Sequence, residues 1–542
     1  MVYVKCAPAD SEGPIIKIPL GPVMGRHIKS YEGRTVTAFE GIPYAEPPIG
    51  ELRFQEPQPA KPWSDTLIAN TTYVCMQFTP IVMTQGTMGE EDCLYLYIYV
   101  PKEKIVGDEN LDVIVHIHGG AFMLGAPKFL CGPEYLMDKD VIFVSFNYRV
   151  GILGFLSTED EIVPGNNGLK DQVMALKWIK DNIKYFGGNS DSITITGLSA
   201  GGASVQYHYL SPLSKGLFNR GFSQSGTALN MWALTEKPLE KAKRLASFLN
   251  CTQETSELMI KCLRKEPVNE MILSLQKFMV LINAVPFTPF GPVVEKGKNA
   301  FLPDHPYKLL LDGKINDYPW VTSNTKDEGI YPVGFFVLYR ELQNLDKRWN
   351  ELIPAALDYN DTVDDENMKV TIAEKLRDRY LNNKSLSMEN INKLVDLFTD
   401  RLFLIDGETA IRLHAKASKS PVYYYFFDYK LNMKTIFSGK ISGSAHSDDG
   451  RLLYRIFGNS QTLPEADRVM KNIFVDFLYD FATKGKPDFK GVEWSPLSSS
   501  EDIDYMHVGG PNDIQMKKIK QLADTAFWDA LPIKENQHLY KR

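Results

Sequence analysis

The chain of 542 residues contains no run of about 18 apolar residues, so it offers no transmembrane helix. It has no block of Lys and Arg and carries a net charge of −7, which argues against nucleic acid as a partner. None of its six cysteines stands in a Cys-x-x-Cys pair, so neither zinc nor any other metal is expected. Nothing in the sequence calls for a cofactor. There is no internal repeat, no low-complexity tract and no flexible linker. Residues 1–542 are therefore expected to form a single domain, although length alone would suggest about three or four. The opening residues, Met1-Val2-Tyr3-Val4-Lys5-Cys6, hold no secretory apolar core.

What is present is ordinary for a soluble globular protein. Apolar residues make up 44% and charged residues 23%, enough to bury a large core. The cysteines are Cys6, Cys75, Cys93, Cys131, Cys251 and Cys262, and their spacing alone leaves the pairing open. Asn70, Asn250, Asn360 and Asn383 each begin an Asn-x-Ser/Thr triplet, the acceptor for N-glycosylation.

Residues 14 to 38 read as short strands. Gly41 to Gly50 is too rich in proline for a helix or a central strand, and reads as a connector over the surface. Strands are expected at Leu94–Val100, Val113–Ile117 and Val141–Tyr148, the last apolar at nearly every position and hence buried on both faces. Gly168 to Phe186 is a helix, with Leu169, Val173, Leu176, Ile179 and Ile183 at helical spacing and Gly187-Gly188 as its stop. A strand, a helix and then the strand Ser192–Leu198 make a parallel βαβ unit, which sets the fold class as α/β. From Gly202 to about residue 280 the chain reads as helix-rich. Residues 340 to 415 read as charged helices forming a cap-like region. Val422–Phe427 is a late strand, and Val469, Ile473, Phe477 and Phe481 mark an amphipathic helix ended by Gly485.

Chemistry centres on Gly197-Leu198-Ser199-Ala200-Gly201. A serine between two glycines, after a strand and before a helix, sits on a sharp turn that exposes its hydroxyl. The hydroxyl needs a base, and histidine suits best because its pKa lies near working pH. Of nine histidines, His116 lies within a strand and reads as core, and His118 reads as a brace for the glycine loop behind it. His446 stands in a small-residue loop after a late strand. Glu328 stands on a turn after the strand Pro319–Ser323, and gives the chain order serine, acid, histidine. Gly119-Gly120-Ala121, with the N–H of Ala200, can supply donors to a developing oxyanion.

Taken together these residues resemble the type-B carboxylesterases, the group that includes cholinesterases and insect esterases. The resemblance spans nearly the whole chain. It runs through Gly41-Ile42-Pro43-Tyr44-Ala45, Glu91-Asp92-Cys93-Leu94-Tyr95-Leu96, His118-Gly119-Gly120-Ala121-Phe122 and Gly168-Leu169-Lys170-Asp171-Gln172. It continues in Phe186-Gly187-Gly188-Asn189, Gly197 to Gly202, Ser223-Gln224-Ser225-Gly226, Lys326-Asp327-Glu328-Gly329 and the His446 loop, and is nearest to insect β-esterases. It implies an α/β-hydrolase fold, with a large, mostly parallel central sheet and helices on both faces. It implies Ser199 as nucleophile, His446 as general base and acid, and Glu328 as the residue orienting His446. Gly120, Ala121 and Ala200 match the oxyanion hole, and Trp232 with the Phe287 to Phe290 loop matches the acyl pocket. Cys75–Cys93 and Cys251–Cys262 match the family's disulfides, leaving Cys6 and Cys131 unassigned. Arg53 with Glu91, and Arg149 with Asp171, match its salt bridges.

Two departures bear on substrate. Leu198, beside the nucleophile, replaces the glutamate of cholinesterases and the histidine or glutamine of many insect esterases. This weakens a juvenile-hormone esterase reading, whose usual motif has glutamine there. The Cys75 to Cys93 loop holds no tryptophan, whereas cholinesterases hold a cation on one. The expectation is a secreted serine carboxylesterase, with a signal peptide absent from this chain. Its substrates would be neutral, fairly apolar esters, insecticide or pheromone esters among them, and organophosphates would inhibit it. The alternatives are a juvenile-hormone esterase and a non-catalytic member of the fold that sequesters esters or serves adhesion.

Overall fold

The computed structural model describes residues 13–79, 86–282, 284–436, 439–456, 462–498 and 502–534. Its main element is an eleven-stranded sheet. In chain order the strands are β1 (Arg26–Lys29), β2 (Thr35–Pro43), β3 (Tyr95–Val100), β4 (Leu111–Ile117), β5 (Ile142–Phe146) and β6 (Gly188–Leu198). They continue as β7 (Arg220–Gln224), β8 (Trp320–Thr325), β9 (Val422–Phe427), β10 (Ile503–Gly510) and β11 (Asp513–Ile519). Across the sheet they lie in chain order except that β5 and β4 are exchanged. From β5 to β10 all neighbours are parallel, and antiparallel strands close both ends.

The side-chain alternation of these strands separates two cores. Val113, Val115, Ile117, Ile142, Val144, Phe146, Ile193 and Ile195 face one side, where helix α1 (Asn167–Asn182) brings Leu169, Val173, Leu176 and Ile179. Ile114, Phe143, Phe222, Val321, Tyr423 and Tyr425 face the other, where a helix over Glu465–Lys484 brings Met470, Phe474, Phe477 and Phe481. Strands buried on both faces have no polar side to show, which is why they read as unbroken apolar runs.

Several expectations are corrected. The helix-rich stretch after Gly202 also holds a strand not expected there, β7, which pairs in parallel with the nucleophile strand. The first part of the Gly41 to Gly50 connector does not lie on the surface, whereas Ile49 and Gly50 at its end are exposed. Gly41 to Pro43 ends β2 after a bulge at Gly41, and Ile42 and Tyr44 are buried. The bulge shifts the register between Glu40 and Ile42 and lets a proline close the strand. The β10–β11 hairpin was not anticipated. Between 342 and 417 the chain forms successive helices, whose Trp349, Leu352, Ile372, Leu394 and Phe398 join the same buried cluster as the first sheet face.

Disulfides join Cys75 to Cys93 and Cys251 to Cys262. Cys131 is a buried free thiol whose pKa burial pushes up, and Cys6 lies outside the described residues. Arg53 holds Glu91 with two bonds of 2.6 and 2.7 Å. Arg149 grips Asp171 with its side chain at 2.7 and 2.8 Å and its backbone N–H at 3.0 Å. Both members of this second pair are buried.

Removing one partner of a buried pair leaves the other charge uncompensated. Asp171→Asn is expected to destabilise the fold by about 3–5 kcal/mol, read as a lower denaturation midpoint. An unchanged midpoint would contradict this, and would mean that the Gln55 carbonyl, which Arg149 Nη1 also meets at 2.8 Å, suffices to hold the guanidinium.

Candidate active site

Ser199 ends the turn between β6 and helix α2 (Ala200–Leu210), with φ 60° and ψ −122°. Such a conformation costs a non-glycine residue roughly 1–3 kcal/mol and persists only when its surroundings hold it. Here the Ser199 N–H donates to the Gln224 carbonyl at 2.7 Å, and its carbonyl accepts from Ala203 N–H at 2.9 Å. The turn is packed backbone on backbone. A Cβ at Gly197 would lie 2.1 Å from the Gly201 carbonyl oxygen, and one at Gly201 2.0 Å from that of Ile117. These contacts explain why both flanking positions are glycine.

The loop after β4 lies across this turn. A Cβ on Gly119 would sit 2.4 Å from the Leu198 carbonyl oxygen and 3.1 Å from the Ser199 Cβ. The N–H groups of Gly120, Ala121 and Ala200 donate to no acceptor among the described residues. Thr288 Oγ1 donates to the Ala121 carbonyl at 3.2 Å, tying the loop to the Phe287–Phe290 segment.

Glu328 follows β8 and is fully buried. Its Oε1 accepts the Thr325 N–H at 2.8 Å, and its Oε2 lies 2.6 Å from His446 Nδ1. The two loops are joined by their backbones. Asp327 N–H donates to the Ser444 carbonyl at 3.0 Å, and Ser444 N–H returns to Asp327 Oδ2 at 2.9 Å. The His446 ring packs among Phe403, at 4.7 Å between centroids, and Tyr331, at 5.3 Å. With Nδ1 engaged by a carboxylate, Nε2 is the nitrogen left to exchange a proton.

The chain after His446 turns back beneath the nucleophile. A Cβ on Gly450 would touch Leu198 Cδ2 at 3.0 Å. Asp449 Oδ2 accepts from Tyr425 OH at 2.6 Å and from Ser323 Oγ at 3.1 Å, on strands β9 and β8. Asp448 accepts the Ala445 N–H at 2.8 Å. Burial pushes the Asp448 carboxyl up to about 7, against the opposing pull of Arg451, and burial also raises Asp449. Neither aspartate was read as part of the site, though two acids stand directly after His446 and Ser447 in the sequence.

The expected pocket residues are distributed unequally. Trp232 is buried, donates Nε1–H to the Leu402 carbonyl at 2.8 Å, and packs against Phe122 and Phe403. Phe403 in turn meets His446, so these rings form one wall. Leu198 is buried against the His446 turn. Phe290 is buried edge-on to Phe278, 5.1 Å between centroids, and Phe287 is half-buried. His116 is core, with Nδ1 2.8 Å from Thr196 Oγ1. Asn70, Asn250, Asn360 and Asn383 are all exposed.

A central parallel sheet, a serine on the strand-to-helix turn of β6, an acid after β8 and a histidine after β9 define an α/β-hydrolase fold. The chain belongs to the carboxylesterase family, which it matches over residues 12–528, and is a carboxylic-ester hydrolase. It is 39% identical to venom carboxylesterase-6 of Apis mellifera, over 99% of this chain and 97% of the relative. It is 34% identical to the juvenile hormone esterase of Tribolium castaneum, over 98% of this chain and 96% of the relative. The crystal structure of juvenile hormone esterase from Manduca sexta, with OTFP covalently attached, superposes with a TM-score of 0.83 at 27% identity. The superposition covers 96% of this chain and 99% of that one. No described helix is long and apolar enough to cross a membrane.

The raised Asp448 pKa has a definite sign for stability. The folded protein binds this proton more tightly than the unfolded chain, whose carboxyl titrates near 4. The contribution is therefore full below about pH 4 and lost as pH rises to about 7. Asp448→Asn should show a flatter dependence of melting temperature on pH across that window than the parent. Parallel curves for the two proteins would contradict the assignment.

Proposed function

We propose that this esterase hydrolyses neutral, fairly apolar carboxylic esters through an acyl-enzyme on Ser199. Ser199 Oγ attacks the ester carbonyl and passes its proton to His446 Nε2. Glu328 holds the ring through Nδ1 and balances the positive charge that the ring acquires. The N–H groups of Gly120, Ala121 and Ala200 receive the oxyanion. His446 then protonates the departing alcohol, and a water activated by His446 releases the acid. The observation that carries this reading is the 2.6 Å contact between His446 Nδ1 and a carboxylate buried completely and fixed by the Thr325 N–H.

The substrate class rests on the aromatic wall of Phe122, Trp232 and Phe403 and on the absence of tryptophan from the Cys75–Cys93 loop. A second reading, hydrolysis of a juvenile-hormone ester, draws on the similarity to the Manduca sexta enzyme. Leu198 counts against it by the motif comparison above. Secretion is supported by the two disulfides, the exposed asparagines of the four glycosylation triplets and the relative named for venom. An organophosphate would be captured by Ser199, its phosphoryl oxygen taking the place of the oxyanion.

Ser199→Ala and His446→Ala should each lower kcat by about 10⁴-fold or more, because the three groups act as a unit. Near-parent turnover of p-nitrophenyl butyrate by pure Ser199→Ala protein would refute the mechanism. Among substrates, butyrate and hexanoate esters should exceed acetylcholine in kcat/KM by more than about tenfold, a gap worth about 1.4 kcal/mol. A higher value for acetylcholine would refute the substrate class, and one highest for a juvenile-hormone ester would favour the second reading.

A further inference from the structure

We infer that His118 and Gln77 are positioning residues that aim the Gly120 N–H into the oxyanion hole. The inference rests on the assignment of Gly120, Ala121 and Ala200 as oxyanion donors. In a trans peptide the C=O of one residue and the N–H of the next point in opposite directions within one plane. Whatever holds the carbonyl therefore aims the following N–H.

Two of the three donors are aimed by backbone alone. The Gly120 carbonyl accepts from Met123 N–H at 2.9 Å and Leu124 N–H at 3.0 Å, which fixes the peptide carrying Ala121 N–H. The Ser199 carbonyl accepts from Ala203 N–H at 2.9 Å, which fixes the peptide carrying Ala200 N–H. The third peptide, Gly119–Gly120, is held by a side chain. His118 Nδ1 lies 2.8 Å from the Gly119 carbonyl oxygen. A carbonyl only accepts, so Nδ1 carries the proton.

The ring has little freedom to leave this contact. It is buried and stacked on Tyr148 at 4.3 Å, and Tyr148 OH donates to the His118 carbonyl at 2.9 Å. Its Nε2 has no hydrogen-bond partner among the described residues, consistent with the neutral Nδ1–H tautomer. Burial lowers its pKa to about 4, which keeps that form across the working range.

Gln77 backs the contact from the other side. A Cβ on Gly125 would lie 2.5 Å from both the Gly119 carbonyl oxygen and His118 Nδ1, so Gly125 is the wall against which they rest. Gln77 grips Gly125 at both ends of its backbone, accepting its N–H at 2.8 Å and donating to its carbonyl at 3.1 Å. The same amide donates to the Cys75 carbonyl at 2.8 Å. The disulfide-bridged loop thus supports the oxyanion strip through Gln77, Gly125 and His118 in turn.

The test uses the purified full chain and the variants His118→Leu, His118→Asn and Gln77→Leu. Asparagine carries its amide nitrogen where Nδ1 stands, whereas leucine has a similar branched shape and no donor. His118→Leu should lose about 10²-fold in kcat, with KM within about twofold and trifluoromethyl-ketone affinity falling in parallel with kcat/KM. His118→Asn should recover at least about tenfold of that loss, and Gln77→Leu should lose about tenfold in kcat with the same split. All should reach full end-point titration of Ser199 by an organophosphate. Where His118→Leu does not fold, Gln77→Leu carries the test. Parent-like kcat in His118→Leu, or an asparagine variant as poor as the leucine one, would overturn the inference while Ser199→Ala remains inactive. Parent-like kcat in Gln77→Leu would remove Gln77 from it where His118→Leu folds, and would overturn the inference where His118→Leu does not. Activity in Ser199→Ala would instead overturn the reading on which it rests.

Discussion

The left-handed turn at Ser199 is the constraint around which the site is arranged. A helix must begin immediately after the central strand while the serine hydroxyl stays clear of both. That requires backbone against backbone on every side. Ile117 to Gly119 crosses over the turn, and Gln224 to Gly226 runs behind it. Side chains at these crossings would push the strands apart, so the glycines are a packing requirement before they are a catalytic one. The close fit also brings the glycine loop within reach of whatever Ser199 attacks.

The second constraint is buried charge. Glu328, Asp448 and Asp449 lie within two adjoining loops, all removed from solvent. An isolated buried carboxylate is costly, and each of these has hydrogen-bond donors. Thr325 N–H serves Glu328, Ala445 N–H serves Asp448, and Tyr425 and Ser323 hydroxyls serve Asp449. The donors come from β8, β9 and the histidine loop itself. The network that makes these carboxyls tolerable also fixes His446 relative to the sheet.

Much of this was legible in the sequence, and the exceptions follow from physics. The strands around Val113, Ile142 and Ile193 were readable because burial on two faces leaves continuous apolar runs. The nucleophile turn was readable because its glycines are required locally. The pairing of Glu328 with His446 spans 118 residues, and that of Gln77 with Gly125 spans 48, so neither leaves a local trace. Gly41 to Pro43 was misread because proline argued against a strand, and the bulge that accommodates it depends on pairing with β3. The hairpin of β10 and β11 did carry an alternating pattern around Gly509-Gly510-Pro511-Asn512, and could have been found. Nothing in the sequence signals that Asp448 and Asp449 are buried, because what covers their loop comes from strands β8 and β9, whose Ser323 and Tyr425 lie 126 and 24 residues before Asp449.

The central claim is that a covalent acyl-enzyme forms on Ser199. The most direct measurement is rapid acid quench during turnover of a p-nitrophenyl ester, followed by peptide mass mapping. The account predicts one acyl group per chain, on the peptide containing Ser199, appearing and decaying at rates consistent with turnover. Turnover with no acylated peptide, where the measured rates require the intermediate to accumulate, would contradict it, as would acylation on another residue.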